Sequence, residues 1–207
     1  MGLALLAAGL ILFIGAHVFI TLRPQRAAAI AAIGWWPYRG AISVAALAGL
    51  YLVFKGFGMY LEAGPVPVWS PPGFMRHITW LLMLPACVFL ASAFLPGHIK
   101  RAVRHPILTA VKTWAFAHLL TNGDLGGILL FGSLLAWAVY DRITLKHRSD
   151  RGAPAIAQGG YEGGYEGGYR NDVAAVIVGI ILYLALSLVF HPLVIGVRVF
   201  AIPAFET

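Results

Sequence analysis

MGLALLAAGLILFIGAHVFITLR, residues 1–23, decides the fold class. It is apolar for about 20 residues, enough to cross a bilayer core of ~30 Å as a helix rising 1.5 Å per residue. A secretory signal peptide starts with a basic region and carries a shorter apolar stretch, so this segment is expected to persist as a helix. The run does not alternate between apolar and polar residues, which argues against a barrel strand. Yet it carries His17, and an ionisable ring inside hydrocarbon needs a partner or a purpose.

The rest of the chain repeats the pattern. Its 207 residues are 60% hydrophobic and only 11% charged, where soluble domains are about a quarter charged. Apolar runs fall at 3–22, 40–61, 77–96, 106–120, 125–140 and 173–197. The expected fold is all-α, a polytopic membrane helix bundle of about six transmembrane helices in one domain over 1–207. Thr121-Asn122-Gly123-Asp124 carries the turn signals of a tight hairpin between the fourth and fifth helices, with Asp124 placed to cap the next one. The loop 62–75, EAGPVPVWSPPGFM, reads as an interfacial segment. The repeat GGYEGGYEGGYR, residues 159–170, marks 148–171 as a flexible cytoplasmic loop.

The net charge of +7 does not imply nucleic acid, because the basic residues punctuate apolar runs. Arg23, Arg26, Arg39, Lys100, Arg101, Arg104, Arg142, Lys146, Arg148, Arg151 and Arg170 fall on one set of loops, and Lys55, Arg76 and Arg198 on the other. The richer set is expected to face the cytoplasm, leaving both termini on the opposite side. A lone cysteine, Cys87, excludes an internal disulfide and a multi-cysteine metal site.

Seven histidines remain: His17, His77, His98, His105, His118, His147 and His191. His98 and His147 read as solvated or lipid-facing surface groups, and His77 as interfacial. His105 stands before Pro106 and suits a helix start. RHPILTAVKTWAFAHLL, residues 104–120, holds two histidines thirteen apart. That is about 220° of helical rotation and ~20 Å of rise, so His105 and His118 cannot serve one metal. Lys112, seven residues from His105, shares its face. Counted from the ends of their runs, His17 and His118 fall within ~5 Å of one depth on oppositely directed helices. Two such imidazoles can hold a haem iron, or simply hydrogen-bond within the core. Zinc is less suited, because the carboxylates all lie near helix ends or in loops.

GAHVFITLR (15–23), PYRG (37–40), RHPILTAVKTWAFAHLL (104–120), AWAVYDR (136–142) and FHPLVIGV (190–197) together resemble the NnrU family of bacterial membrane proteins. Through it the chain is similar to the 15-cis-ζ-carotene isomerases. The resemblance implies a multi-pass protein of the bacterial cytoplasmic membrane that binds haem b between His17 and His118. It also implies redox-dependent cis–trans isomerisation of a lipophilic polyene, with an electron donor and membrane lipids as partners. The alternative it implies is a haem sensor or electron-transfer protein tied to nitric oxide and denitrification. Arg39 matches a family position suited to a haem propionate or to snorkelling onto lipid phosphate, and His105 and His191 match further family positions, as donors behind a ligand, propionate partners or structural hydrogen-bonders. The isomerases carry a cysteine three residues before the second ligand, where this chain has Ala115. The RHP motif is also similar to that of membrane methyltransferases, but Ile107 and Leu108 follow it, and no paired acidic motif comes later.

Overall fold

The computed structural model describes residues 1–147 and 167–200, without the side chains of 146 and 147. Their regular structure is helical: α1 (Gly2–Thr21), α2 (Arg23–Ile33), α3 (Trp35–Glu62), α4 (Met75–Ser92), α5 (His98–Val103), α6 (Pro106–Leu119), α7 (Leu125–His147) and α8 (Gly168–Ala185), which runs on as a π-helical stretch over Leu186–Ile195. Among the described residues, five helices are long and apolar enough to cross a membrane: Gly2–Thr21, Trp35–Glu62, Met75–Ser92, Leu125–Leu145 and Gly168–Ile195. The chain is a multi-pass membrane protein. The remaining apolar run, 106–120, forms α6 with only 14 residues, about 21 Å of rise. It is the short member of a bundle read as about six helices.

Two shorter helices lie where loops are expected. Pro24 sits in the first turn of α2, where its missing N–H costs nothing. Of the loop expected over 148–171, residues 148–166 lie outside the described residues, while Gly168 already belongs to α8.

The described residues group into two compact units. The first comprises Met1–Thr79 with Trp114–Arg151. Its framework is the antiparallel pair α1–α3. Gly2 and Gly9 on α1, and Gly49 and Gly56 on α3, are each seven residues apart and so lie on one face. A Cβ on Gly9 would stand 2.6 Å from the Val53 nitrogen, and one on Gly49 2.6 Å from the Phe13 nitrogen. A Cβ on Gly56 would overlap the Leu6 backbone. The two backbones therefore touch, which is how small residues let helices associate where lipid is as apolar as any side chain. Leu6, Leu10, Val53, Ala115, Leu130 and Phe131 form the core beside this seam.

α7 joins parallel to α1. Gly126, in its first turn, lies under the Tyr60 ring at the end of α3. Tyr140 Oη, far along α7, comes within 3.4 Å of Thr21 Oγ1 at the end of α1. The loop 63–74 closes the end of this unit where α7 begins. Val68 and Trp69 donate their backbone N–H groups to the Gly123 carbonyl at 2.8 and 3.0 Å, and Leu125 donates to the Val66 carbonyl at 2.9 Å. Tyr60 Oη accepts the Val66 N–H at 2.8 Å. The expected turn at 121–124 is present, and Asp124 Oδ1 caps α7 through the Gly127 N–H at 2.8 Å.

α4 is fixed to α6 inside the unit by Thr79, whose buried hydroxyl donates to the Ala117 carbonyl at 2.8 Å. Thr79→Val removes the donor while keeping the shape. It is expected to lower stability in detergent by about 1 kcal/mol, read as a lowered thermal midpoint with an unchanged elution volume.

The second unit comprises Trp80–Thr113 with Gly152–Thr207. Here α8 crosses α4 closely: a Cβ on Gly179 would stand 2.7 Å from the Val88 Cα. Asp172 of α8 receives the backbone N–H of Ile99 at 3.0 Å, that of His98 at 3.1 Å and His98 Nδ1 at 2.7 Å. Asn171 Nδ2 donates to the Pro96 carbonyl at 2.8 Å, and Tyr169 stacks on His98 with centroids 4.3 Å apart. His98 is thus hydrogen-bonded to a carboxylate rather than being the solvated or lipid-facing loop group expected from its charged neighbours. The partner that engages it stands 74 residues later.

Candidate functional site

The histidines inside the apolar helices share one local device. His17 Nδ1 lies 2.7 Å from the Phe13 carbonyl one turn back. His118 Nδ1 lies 2.9 Å from the Trp114 carbonyl, and His191 Nδ1 lies 2.8 Å from the Leu186 carbonyl. A carbonyl oxygen only accepts, so each Nδ1 carries the proton. In the neutral ring, Nε2 is then the nitrogen with the lone pair, the tautomer that a metal ion or a hydrogen-bond donor requires. The second hydrogen bond also holds ring orientation, as it does behind metal-ligating histidines.

His17 sits on the last turns of α1, half-buried, with the Phe13 ring 4.4 Å away. The Trp137 ring of α7 meets it edge-on at 5.1 Å. The Trp137 indole N–H is buried with no acceptor. A buried donor of this kind costs about 1–3 kcal/mol when left unmatched. The His17 ring thus packs within apolar helices against the ring that carries an unmatched donor. Sequence reading singled out His17 and missed Trp137, because a tryptophan in an apolar helix carries no signal of what it faces.

His118 is placed differently. It stacks on Phe131 of α7 with centroids 4.6 Å apart, and Trp114 lies 5.3 Å from it. α6 ends one residue later. The His118 carbonyl accepts Asn122 N–H at 2.8 Å and Asn122 Nδ2–H at 2.7 Å, so the residue also closes the helix. His118 therefore lies in the last turn of a 14-residue helix, beside the turn at 121–124. His17 and His118 pack on different residues of α7. One packs on Trp137 and the other on Phe131, six residues apart on α7, which is about 9 Å along its axis.

The other family-matched positions fall elsewhere. The His105 carbonyl accepts the Thr109 N–H at 3.0 Å, so His105 opens α6 with Pro106 in the first turn. Arg104 before it adopts φ of +64°, a left-handed conformation uncommon for a side chain of this size. His191 lies within the π-helical stretch next to Pro192, and its bond to Leu186 spans five residues. Such stretches are frequent at functional sites. Arg39 is exposed, with its guanidinium 5.7 Å from the centroids of both Trp35 and Trp36. Ala115 is fully buried in the first unit's core. Among the described residues, no three His, Cys, Asp or Glu side chains gather closely enough to hold a metal ion by themselves.

The family model described as NnrU protein matches residues 5–199, nearly the whole chain. The chain belongs to the NnrU family. Comparison with curated proteins and with solved structures finds no match to either. The family assignment thus rests on a match that spans both units and takes in the RHP entry to α6, the late HPL and His17.

Proposed function

We propose that this NnrU-family protein binds haem b within the membrane, where His17 would hold the iron. The observation that carries the reading is the tautomer at His17, pinned through Nδ1 to Phe13, beside the unmatched Trp137 N–H. Imidazole is a standard axial ligand, and polarity and hydrogen-bond donors near the iron tune what it binds. His17 alone fits that role as it stands. A shared iron needs two Nε2 atoms about 4 Å apart, at ~2.0 Å per metal–nitrogen bond. The rings on which the two histidines pack stand ~9 Å apart along α7, so this reading names His17 as the ligand in place of the bis-histidine set with His118.

Haem, when bound, supplies reversible one-electron chemistry and a coordination position for a small ligand. The protein's own residues hold the His17 proton on Nδ1, keep water away with Phe13 and Trp137, and offer an indole donor beside the imidazole. Ala115 cannot supply a thiolate three residues before His118. That favours a haem sensor or electron-transfer role in nitric oxide metabolism over isomerisation of a polyene through ligand exchange. We place the protein in the bacterial cytoplasmic membrane, termini outward, from the bias of Arg and Lys.

The test is an absorption spectrum of detergent-purified protein, oxidised and dithionite-reduced. A Soret band is expected in the wild type. It should fall at least tenfold in His17→Ala, return with added imidazole, and survive in His118→Ala. Absence of bound iron, or a band indifferent to His17, overturns the proposal. Turnover of a cis-ζ-carotene in carotenoid-producing cells would restore the isomerase reading against the sensor reading.

A further inference from the structure

The end of the first unit where α1 stops carries a cluster that haem binding does not use. Gly34, with φ of +86°, turns the chain from α2 into α3 and sets Trp35 and Trp36 at the start of α3. The Arg26 guanidinium lies 5.8 Å from the Trp35 centroid, and that of Arg39 lies 5.7 Å from the same ring. Two cations thus converge on one indole. Residues 1–61 contain no Asp or Glu, and neither guanidinium has a carboxylate partner among the described residues.

An indole face attracts a guanidinium but accepts none of its five N–H donors. Two like charges on one platform also repel each other. Both defects are relieved by one anion with several acceptor oxygens, and planar guanidiniums match phosphate in bidentate fashion. The setting indicates which anion. α2 has no buried residue, Trp36 is 75% exposed, and five helices among the described residues are fit to cross a membrane. Exposed tryptophans of membrane proteins sit at the headgroup level, so the phosphate at hand belongs to a lipid.

We infer that Arg26, Trp35 and Arg39 form a binding site for the headgroup phosphate of an anionic phospholipid. Arg39 accordingly serves lipid rather than a haem propionate. The site stands independently of whether haem is bound.

The experiment uses the full chain in neutral detergent, titrated with phosphatidylglycerol or phosphatidylcholine and read by native mass spectrometry. Wild type is expected to hold phosphatidylglycerol at least tenfold more tightly than phosphatidylcholine. Arg26→Gln/Arg39→Gln should lose that preference, whereas Arg198→Gln should keep it. Trp35→Leu, which retains both charges, should weaken binding severalfold. Arg26→Lys/Arg39→Lys should weaken it as well, because an ammonium lacks the planar fork. Full binding by the lysine pair would reduce the site to diffuse charge and overturn it. So would displacement of the lipid by inorganic phosphate at equal concentration, which would indicate a site for a soluble anion. Equal binding of both lipids by wild type also overturns it. Loss of binding with a changed elution volume would be folding damage, and Trp35→Leu with an unchanged profile then decides.

Discussion

Gly56→Leu is expected to separate α1 from α3 and to leave little folded protein in detergent. The position is filled from the other side by the Leu6 backbone, which a Cβ at residue 56 would overlap. Backbone cannot rotate out of the way as a side chain end can. Leu6 itself is fully buried, so relief requires moving the whole helix and with it the contacts of Leu10 and Val53 in the core. Overpacking of a well-filled site costs about 1–3 kcal/mol where neighbours can shift, and a backbone clash lies at the upper end or above. Gly58→Ala on the same helix is the control, because nothing lies within 4 Å of its would-be Cβ. It is expected to be neutral or to gain about 0.5–1 kcal/mol through helix propensity. Thermal midpoints of the two variants in detergent, read with elution volume, check both. Equal behaviour of the two glycines would mean that α1 and α3 do not pack through this seam.

That seam shows how far the sequence could be read. The glycines are visible as two pairs spaced by seven, but an apolar helix has no polar face to show which stripe meets a neighbour. Apolar runs locate spans well, because burial of backbone in lipid leaves helices as the available solution. They locate helix ends poorly. Leu119 and Leu120 continue the run, yet the backbone turns there because Asn122 and Thr121 bond back to His118. Counting residues along the run therefore missed that His118 also closes the helix. His17 was legible as a lone polar ring in an unbroken apolar run. Its neighbour Trp137, 120 residues away, required the fold. The RHP entry was legible through Pro106, whose restriction on the preceding residue and tolerance in a first turn act locally.

Asp172→Ala is expected to release α8 from the segment that opens α5. The carboxylate gathers three donors, the N–H groups of His98 and Ile99 and the His98 ring. It thus caps a helix of only six residues from a distant part of the chain. A helix that short has too few internal hydrogen bonds to persist without its cap. An N-cap carboxylate is worth about 1 kcal/mol, and the ring contact adds a charge-assisted bond. His98 is about a third exposed, so solvent screens part of that bond, and the total comes to about 2 kcal/mol. Asp172→Asn keeps one acceptor and the shape but not the charge, and is expected to lose about half as much. His98→Phe keeps the stack on Tyr169 while removing the ring donor, and so isolates the charged contact from the cap. Hydrogen exchange at residues 97–103 provides the readout. Protection should fall sharply in Asp172→Ala, partly in Asp172→Asn, and little in His98→Phe, where the two backbone bonds survive. A large loss in His98→Phe with little in Asp172→Asn would reverse the order and assign the tether to the ring contact rather than to the cap.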